Sequence, residues 1–203
     1  MGTHVEASYS RRAEEYTQRL GSLSVAHASD VQLITSWAEG VDGPLLDAGC
    51  GPGQWTGHLA ERGLDPRGID QVREFIERAR ATHPRARFDV GSIDALPDAT
   101  GSLAGVLAWY SLVHHEPASI RQPLAEFARV LRPGGKFLVG FFTGPDVEPF
   151  DHSVVTAYRW PPEALAAELR EAGFEVIETH TRTAAASTPR PHGAMLARLR
   201  SEQ

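Results

Sequence analysis

The sequence predicts an α/β protein built on a doubly wound, mostly parallel sheet. Short apolar segments with strand character alternate with amphipathic helical segments between residues 45 and 179. Such alternation is typical of parallel strands joined by right-handed helical crossovers. Two strand-like segments, 174–179 and 194–200, then follow each other with no helix between them. They predict a hairpin-like closure in which one strand runs antiparallel to the rest.

The individual elements follow from hydrophobic periodicity and from glycine and proline positions. Seven strands are predicted, at 45–47, 65–70, 87–90, 102–110, 136–142, 174–179 and 194–200. Helices are predicted over 29–39, 54–63, 72–81, 124–131 and 162–173, with a turn at 132–135. One further helical face is formed near the N-terminus by Tyr9, Ala13, Tyr16 and Leu20. We expect residues 1–40 to form a helical cap on a domain of residues 41–203.

Composition limits the function classes. The 203 residues carry a net charge of −6, which disfavours a broad nucleic-acid or anionic-membrane surface. Cys50 is the one cysteine, so no internal disulfide forms. The sequence has no long apolar run and no apolar signal core near its start, so we expect a cytoplasmic protein, monomeric or homodimeric, without membrane or nucleic-acid partners.

The stretch LLDAGCGPGQW, residues 45–55, points to a ligand. Gly49, Gly51 and Gly53 follow an apolar strand, so the backbone can approach a ligand at the N-terminus of the next helix. A dinucleotide site has glycine at the position that Gln54 occupies. Asp70 ends the second strand, where a carboxylate accepts from ribose hydroxyls. The pattern therefore predicts a ligand with a ribose but without a pyrophosphate. Alternatively, the loop is a ligand-free turn and Asp70 a helix N-cap.

Three motifs together resemble one family. D-A-G-C-G-P-G at 47–53, Asp70, and R-V-L-R-P-G-G at 129–135 are similar to class I S-adenosylmethionine-dependent methyltransferases, in particular the small-molecule, UbiE/UbiG-like domains. The resemblance implies a Rossmann-like seven-stranded sheet with an antiparallel last strand. It also implies S-adenosylmethionine as the cofactor, S-adenosylhomocysteine as its product, and no metal. The partner it implies is a small-molecule methyl acceptor.

The resemblance also assigns cofactor roles. The three glycines would pack on the methionine part of the cofactor, Asp47 would hold its amino group, and Asp70 would hold its ribose. In many relatives an aspartate follows the third strand; here Ser92 stands there, so backbone contacts to the adenine are expected and a role for Asp94 stays open. The complete predicted cofactor set comprises Tyr9, Tyr16, Asp47, Gly49, Gly51, Gly53, Trp55, Asp70, Gln71, Val72, Ser92, Ile93 and Trp109.

The acceptor side is predicted from two segments. His114 and His115 follow the fourth strand and either act as a general base or have a structural role. The long connection at 141–160 is typical of a binding loop. Its aromatic character suits an aromatic or partly apolar acceptor, although Tyr158 and Trp160 also fit core packing, and Arg159 fits a pair with Glu163. The predicted acceptor wall is Tyr110, Phe142, His152, Tyr158, Arg159 and Trp160.

Three other functions stay open at this point. A nucleic-acid methyltransferase is disfavoured by the charge and by A-W-Y-S at 108–111. A nicotinamide-dependent oxidoreductase is disfavoured by Gln54 and by the two final strands. A module that binds the cofactor without turnover is compatible with every motif, because a fold does not fix a function.

Overall fold

The structure, a computed structural model, describes residues 22–152, 155–183 and 191–201, together with Ala7, Tyr9, Ser10 and Thr17. Its strands are β1 (Leu45–Ala48), β2 (Pro66–Asp70), β3 (Arg87–Val90), β4 (Leu103–Trp109), β5 (Leu131–Thr143), β6 (Glu148–Phe150), β7 (Ala157–Trp160), β8 (Phe174–Arg182) and β9 (His192–Leu199). Its helices are α1 (Ala28–Glu39), α2 (Gln54–Glu61), α3 (Arg73–Thr82), α4 (Arg121–Val130) and α5 (Pro162–Glu171), after a 3-10 turn at Leu23–Val25.

The sheet is doubly wound, as the sequence predicts. The strands β3, β2, β1, β4 and β5 lie side by side in that order and all run parallel. β9 pairs antiparallel with β5, and β8 pairs antiparallel with β9, which confirms the antiparallel last strand. The strand order reverses between β1 and β4. Ligands of doubly wound sheets bind beyond the carboxyl ends of the strands at such a reversal.

Two details of the predicted strands are wrong. The connection at 141–160 contains the short strands β6 and β7, and β7 extends the sheet because Phe142 and Thr143 of β5 pair with Arg159 and Trp160. The predicted turn at 132–135 lies inside β5 as an irregularity, since the register of β4 against β5 shifts there. Gly134, at φ 75°, allows this local kink without ending the strand.

The core forms two layers because successive strand residues point to opposite faces of the sheet. Phe137 belongs to the layer under α4 and α5, where it stacks between Phe127 and Phe174 at ring centroid distances of 5.4 and 5.1 Å. Its neighbour Leu138 belongs to the opposite layer, which contains Trp37 of α1. Both faces of the central strands are therefore covered, which explains their continuous apolar character.

The N-terminal segment is described at a few positions. Tyr9 and Ser10 are helical, as the sequence predicts, and Tyr9 packs on the cluster of Val72 and Phe75. The Ser10 hydroxyl donates to Glu74 of α3 at 3.0 Å. Tyr16 lies outside the described residues. None of the helices in the described ranges is long and apolar enough to cross a bilayer.

Candidate active site

The turn after β1 is tied to the end of β2. The backbone N–H groups of Gly49 and Cys50 both donate to the carbonyl of Ile69, at 2.8 and 3.0 Å. The N–H of Gly51 donates to one oxygen of Asp70 at 2.9 Å, and the N–H of Val72 donates to the other at 2.8 Å. The Asp70 carboxylate thus fixes the glycine turn and the start of α3 together. The N-cap of α3 is Val72, so the alternative role of Asp70 as the N-cap is wrong; its carboxylate accepts from the N–H of that N-cap residue instead.

The three glycines of the turn have different surroundings. Gly51, at φ 54°, has no atom within 4 Å of the place where a Cβ would stand, so its backbone borders open space. A Cβ on Gly53 would come within 2.8 Å of both Ala79 and the Phe88 ring. Gly53 therefore packs against the core and does not line the cavities. The cause is the close approach of α3 and β3 to Gly53, and its expected contact with the cofactor stays a prediction.

Two buried carboxyl groups lie at this strand end. Burial raises the pKa of Asp70 to about 6, although the N–H donors of Val72 and Gly51 oppose the rise. Burial raises the pKa of Asp47 to about 7, opposed by Thr56, whose hydroxyl donates to the carboxylate at 2.6 Å. The negative charge of Asp70 adds to the rise at Asp47. Ligand groups that donate hydrogen bonds or carry positive charge would favour the ionised forms.

Two neighbouring cavities that share lining residues open at the same edge of the sheet. The larger, of about 720 Å³, is bordered by Asp47, Gly49, Gly51 and Trp55. The smaller, of about 120 Å³, is lined by Asp70, Gln71, Val72, Ser92 and Ile93. Tyr9, Gly49, Gly51, Trp109 and Tyr110 line both. Except for Gly53 and the undescribed Tyr16, the structure brings all predicted cofactor residues to these two cavities.

Buried polar atoms in the cavity walls support a polar ligand. Within the described ranges, Ser111 Oγ and Gln54 Oε1 are buried without a hydrogen-bond partner, and each residue lines one of the cavities. Ser111 stands against Gly49, where a Cβ would come within 2.4 Å of it. Buried polar groups in proteins are nearly always satisfied, so these two indicate partners that a ligand supplies. Together with the opening at Gly51, they fit S-adenosylmethionine.

The two histidines after β4 lie on the Asp70 side. His114 Nδ1 donates to the Thr156 carbonyl at 2.8 Å, and its Nε2 lies 2.7 Å from the Tyr9 hydroxyl. Burial lowers the pKa of His114, so the neutral ring accepts from Tyr9. His115 Nε2 donates to Asp94 at 2.9 Å, and its Nδ1 is a buried atom. Both residues line the smaller cavity, and a catalytic role for either stays a prediction.

An aromatic wall closes the larger cavity on the other side. Trp109 contacts Trp55 and Tyr110 edge-to-face, at centroid distances of 6.0 and 5.4 Å. Tyr110 also lies 4.9 Å from the Phe142 ring, and His152 lies 5.9 Å from Phe142. Four predicted residues, Trp109, Tyr110, Phe142 and His152, therefore meet in one wall.

The three residues predicted from β7 do not line either cavity. Trp160 is 5% exposed and belongs to the core, and Tyr158 packs against the same core cluster. Arg159 pairs with Glu148 at 3.0 Å and lies 4.5 Å above the Phe150 ring, instead of pairing with Glu163. The cause is the pairing of β7 with β5, which turns these side chains to the core or to the β6 hairpin.

One residue of the wall, His192, was not predicted from the sequence. It is the first residue of β9, pairs in register with Phe142, and contacts the Tyr110 hydroxyl through Nδ1. The predicted antiparallel last strand could have indicated this residue. An antiparallel strand begins at the edge of the sheet where the parallel strands end, so its first residues lie beside the site. The ion pair between Asp30 of α1 and Arg182 of β8, at 2.7 Å, was also not predicted.

Residues 45–135 match a family model described as a methyltransferase domain. The malonyl-[acyl-carrier protein] O-methyltransferase of Salmonella typhimurium is 32% identical over 139 residues, which are 68% of this chain and 53% of that protein. The chain spans about half the length, or less, of several curated relatives it matches, with coverage of 53%, 51% and 37% for three of them.

Solved structures share the fold along nearly the whole chain. The 1,6-didemethyltoxoflavin-N1-methyltransferase of Burkholderia thailandensis, with its substrate and S-adenosylhomocysteine bound, superposes with a TM-score of 0.78 at 21% identity, covering 99% of this chain and 91% of that one. The [4+2]-cyclase SpnF superposes at 0.80 with 18% identity, covering 98% and 96%. The Rossmann-like sheet, the glycine turn with Asp70 and the matched methyltransferase model agree. Residues 45–135 are therefore a methyltransferase domain, and the fold is that of the class I S-adenosylmethionine-dependent methyltransferases.

Proposed function

We propose that this protein transfers a methyl group from S-adenosylmethionine to a small-molecule acceptor. The observation that carries the proposal is the geometry of Asp70. Its two oxygens each accept one backbone N–H, from Gly51 and Val72, at 2.9 and 2.8 Å. A carboxylate has about four lone-pair positions, so two remain for the hydroxyls of a ribose. The open space beside the Gly51 backbone would let the methionine part of the cofactor approach the turn.

The residues around the two cavities would divide the work of binding. Asp70 would hold the ribose, the backbone at Ser92 and Ile93 would border the adenine, and Asp47 would face the amino group. When bound, S-adenosylmethionine supplies a methyl group on a positively charged sulfur. The ring faces of Trp109 and Tyr110 suit a cation. The protein then aligns the acceptor with the methyl carbon, and alignment accounts for much of the acceleration of such displacements. The proposal includes no metal, because a sulfonium is already electrophilic.

The relatives support transfer to a small or carrier-bound molecule without naming the acceptor. One is an O-methyltransferase and one structural neighbour is an N-methyltransferase, so the atom that receives the methyl group differs between them. SpnF, which shares the fold, is a [4+2]-cyclase. Cofactor binding and turnover therefore need separate measurements.

Calorimetric titration with S-adenosylmethionine, S-adenosylhomocysteine and NAD tests the cofactor. We expect the first two to bind with micromolar dissociation constants and NAD not to bind. Asp70→Ala should weaken binding by roughly ten- to a hundredfold, since hydrogen bonds to a charged group contribute about 1.5–3 kcal/mol. Asp89→Ala is the matched control, because this carboxylate pairs with Arg67 and does not line the cavities. Binding of NAD alone, or equal affinities in both variants, contradicts the proposal.

Turnover separates an enzyme from a module that only binds. Protein with methyl-tritiated S-adenosylmethionine should label members of a panel of small phenols, amines and carboxylic acids. Labelling that Asp70→Ala abolishes supports catalysis at this site. Tight binding without labelling of any acceptor class would favour the non-catalytic module.

A further inference from the structure

Tyr110 has an unusual backbone conformation at the edge of the site. Within the described part of the chain it is the one non-glycine residue with positive φ, at 59°. A left-handed conformation costs a residue with a Cβ about 1–2 kcal/mol. Its N–H donates to the Gly140 carbonyl at 3.1 Å, and its ring packs against Trp109 and Phe142. Strained residues of this kind cluster at functional sites, so the conformation directs attention to what the side chain does.

The strained backbone brings the Tyr110 hydroxyl to His192. The hydroxyl contacts His192 Nδ1, and the two rings meet edge-to-face with centroids 5.6 Å apart. Both residues line the larger cavity, and both also line a neighbouring cleft of about 520 Å³ between α1 and the β8–β9 hairpin. The Tyr110–His192 pair therefore separates the two volumes, whereas His114 and His115 line the smaller cavity beside Asp70.

The charges that face this pair cancel. Asp30 from α1 and Arg182 from β8 form a bidentate ion pair at 2.7 and 3.0 Å, and both line the cavity and the cleft. His27 and His152 are the other titratable side chains on the larger cavity near the wall. Burial raises the pKa of Tyr110 well above its ordinary value, and Asp30 adds to the rise. The phenol is therefore protonated at neutral pH and donates its proton to the imidazole.

The surrounding rings define the ligand class. Trp109, Phe142 and His152 present aromatic surface beside the Tyr110 hydroxyl, and the one described cation of this wall, Arg182, is already paired. Aromatic side chains pack well against flat rings in offset or edge-on geometry. A neutral planar molecule with a hydroxyl group matches this surface better than a carboxylate does, because a buried carboxylate needs a cation as its partner.

We propose that Tyr110 and His192 form a proton relay for the hydroxyl of a planar aromatic acceptor; this inference rests on the proposed function. The acceptor O–H bond breaks and its proton passes to Tyr110 Oη, while the Tyr110 proton passes to His192 Nδ1. The acceptor oxygen keeps the electron pair and forms its bond to the methyl carbon as the sulfur–carbon bond breaks. The products are the methyl ether, S-adenosylhomocysteine and one proton, which the imidazolium releases to water.

The test uses 4-nitrophenol, which is colourless when protonated and yellow as phenolate. It is titrated by absorbance against protein saturated with S-adenosylhomocysteine. The relay should lower the apparent pKa of the bound probe by about one unit, which is a tenfold gain in phenolate below its free pKa. Nitrogen-15 NMR should show His192 becoming an imidazolium as the probe ionises. Tyr110→Phe and His192→Asn should each lose the shift.

Tyr158→Phe is the matched control, since it removes a phenolic hydroxyl that lies outside both cavities. It should keep the full shift. Thermal melts and calorimetry with S-adenosylhomocysteine confirm that each variant is folded and binds the cofactor product. If the wild type does not bind S-adenosylhomocysteine, the proposed function itself is contradicted. If S-adenosylhomocysteine binds normally but the pKa of 4-nitrophenol does not shift, the relay alone is overturned. The same holds if Tyr110→Phe and His192→Asn show the same shift as the wild type.

Discussion

Asp47 and Asp70 are buried carboxyl groups that the fold holds at a cost. Each accepts hydrogen bonds from the protein, Asp47 from Thr56 and Asp70 from two backbone N–H groups. Burial still raises both pKa values, to about 7 and about 6. Groups that only stabilise the fold are rarely left in this condition, whereas binding residues often are. In the proposed function, the bound ligand supplies the partner for their negative charge.

Cofactor affinity should depend on pH through Asp70. The ionised carboxylate is the better acceptor for ribose hydroxyls, and its pKa in the free protein is about 6. We expect the contribution of Asp70 to the affinity for S-adenosylhomocysteine to be nearly constant above pH 7 and to fall as the pH is lowered through 6, beside any change at higher pH from Asp47, whose pKa is about 7. Calorimetry between pH 5 and 8 measures this. In Asp70→Asn the affinity should be weaker and lose most of this slope; a slope as steep as that of the wild type would assign it to another group.

Asp47 should lower stability at neutral pH in the absence of ligand. Its pKa is about 7 in the fold against an ordinary value of 3.8, so the unfolded chain releases the proton first as the pH rises. Below pH 4 the carboxyl group is protonated in both states, so it does not lower the free energy of unfolding. As the pH rises from 4 to about 7, the free energy of unfolding falls. The loss is roughly 4 kcal/mol at pH 8.

Urea unfolding of Asp47→Asn tests this directly. The amide keeps an acceptor for Thr56 and removes the buried charge. The free energy of unfolding of the variant should exceed that of the wild type clearly at pH 8 and much less at pH 5. A variant that is less stable than the wild type at pH 8 would show that the charge is compensated in the free protein.

The turn between β1 and α2 shows how one motif serves two purposes. Gly51 borders the ligand space, and Gly53 lets the turn pack on Ala79 and Phe88. The repeated glycines predict a ligand turn, but spacing alone cannot separate these roles. The difference depends on side chains of α3 and β3, more than twenty positions further along the chain.

Alanine at each glycine should separate binding from stability. Gly51→Ala places a methyl group in the cavity, so we expect weaker binding of S-adenosylhomocysteine and a loss of about 1 kcal/mol of stability from the positive φ. Gly53→Ala adds a clash within the core and should lower the unfolding midpoint more than Gly51→Ala does. Calorimetry and thermal melts report the two effects. Equal losses of stability in both variants would contradict this division.

The strands illustrate which elements a sequence defines. The antiparallel closure was predictable because no helix separates its two segments. The short strands β6 and β7 were not, since three or four residues give too little periodicity and their pairing depends on the end of β5. For the same reason Arg159 and Trp160 were assigned to a cavity that they do not line. The predicted start of the last strand, residue 194, lay two residues after His192.

The whole molecule joins its N-terminal segment to the site through Tyr9. This residue lines both cavities, packs on Phe75 at 5.9 Å, and its hydroxyl lies 2.7 Å from His114. The division into a cap of residues 1–40 and a main domain stays a prediction. The fold class itself was predictable, because the alternation of strands and helices extends over most of the chain. The contacts between distant segments were not.

Tyr9→Phe should speed the release of the cofactor product. The ring keeps its packing on Phe75 and loses the bond to His114, which contributes about 0.5–1.5 kcal/mol. We expect dissociation of S-adenosylhomocysteine to become roughly two- to tenfold faster with little change in association. Stopped-flow tryptophan fluorescence follows both rates, with Tyr158→Phe as the control. Unchanged dissociation would mean that Tyr9 does not retain the ligand.

The antiparallel β9 has a consequence for how this molecule can be re-engineered. The glycine turn, Asp70 and Trp109 all lie within residues 45–135, the part that matches the methyltransferase model. Phe142, His152 and His192 lie after it. A chimera could therefore exchange the segment from the end of β5 to the start of β9 and leave the cofactor half intact. Such an exchange would replace Phe142, His152 and His192 of the aromatic wall as one contiguous cassette and would keep Tyr110, which lies within residues 45–135.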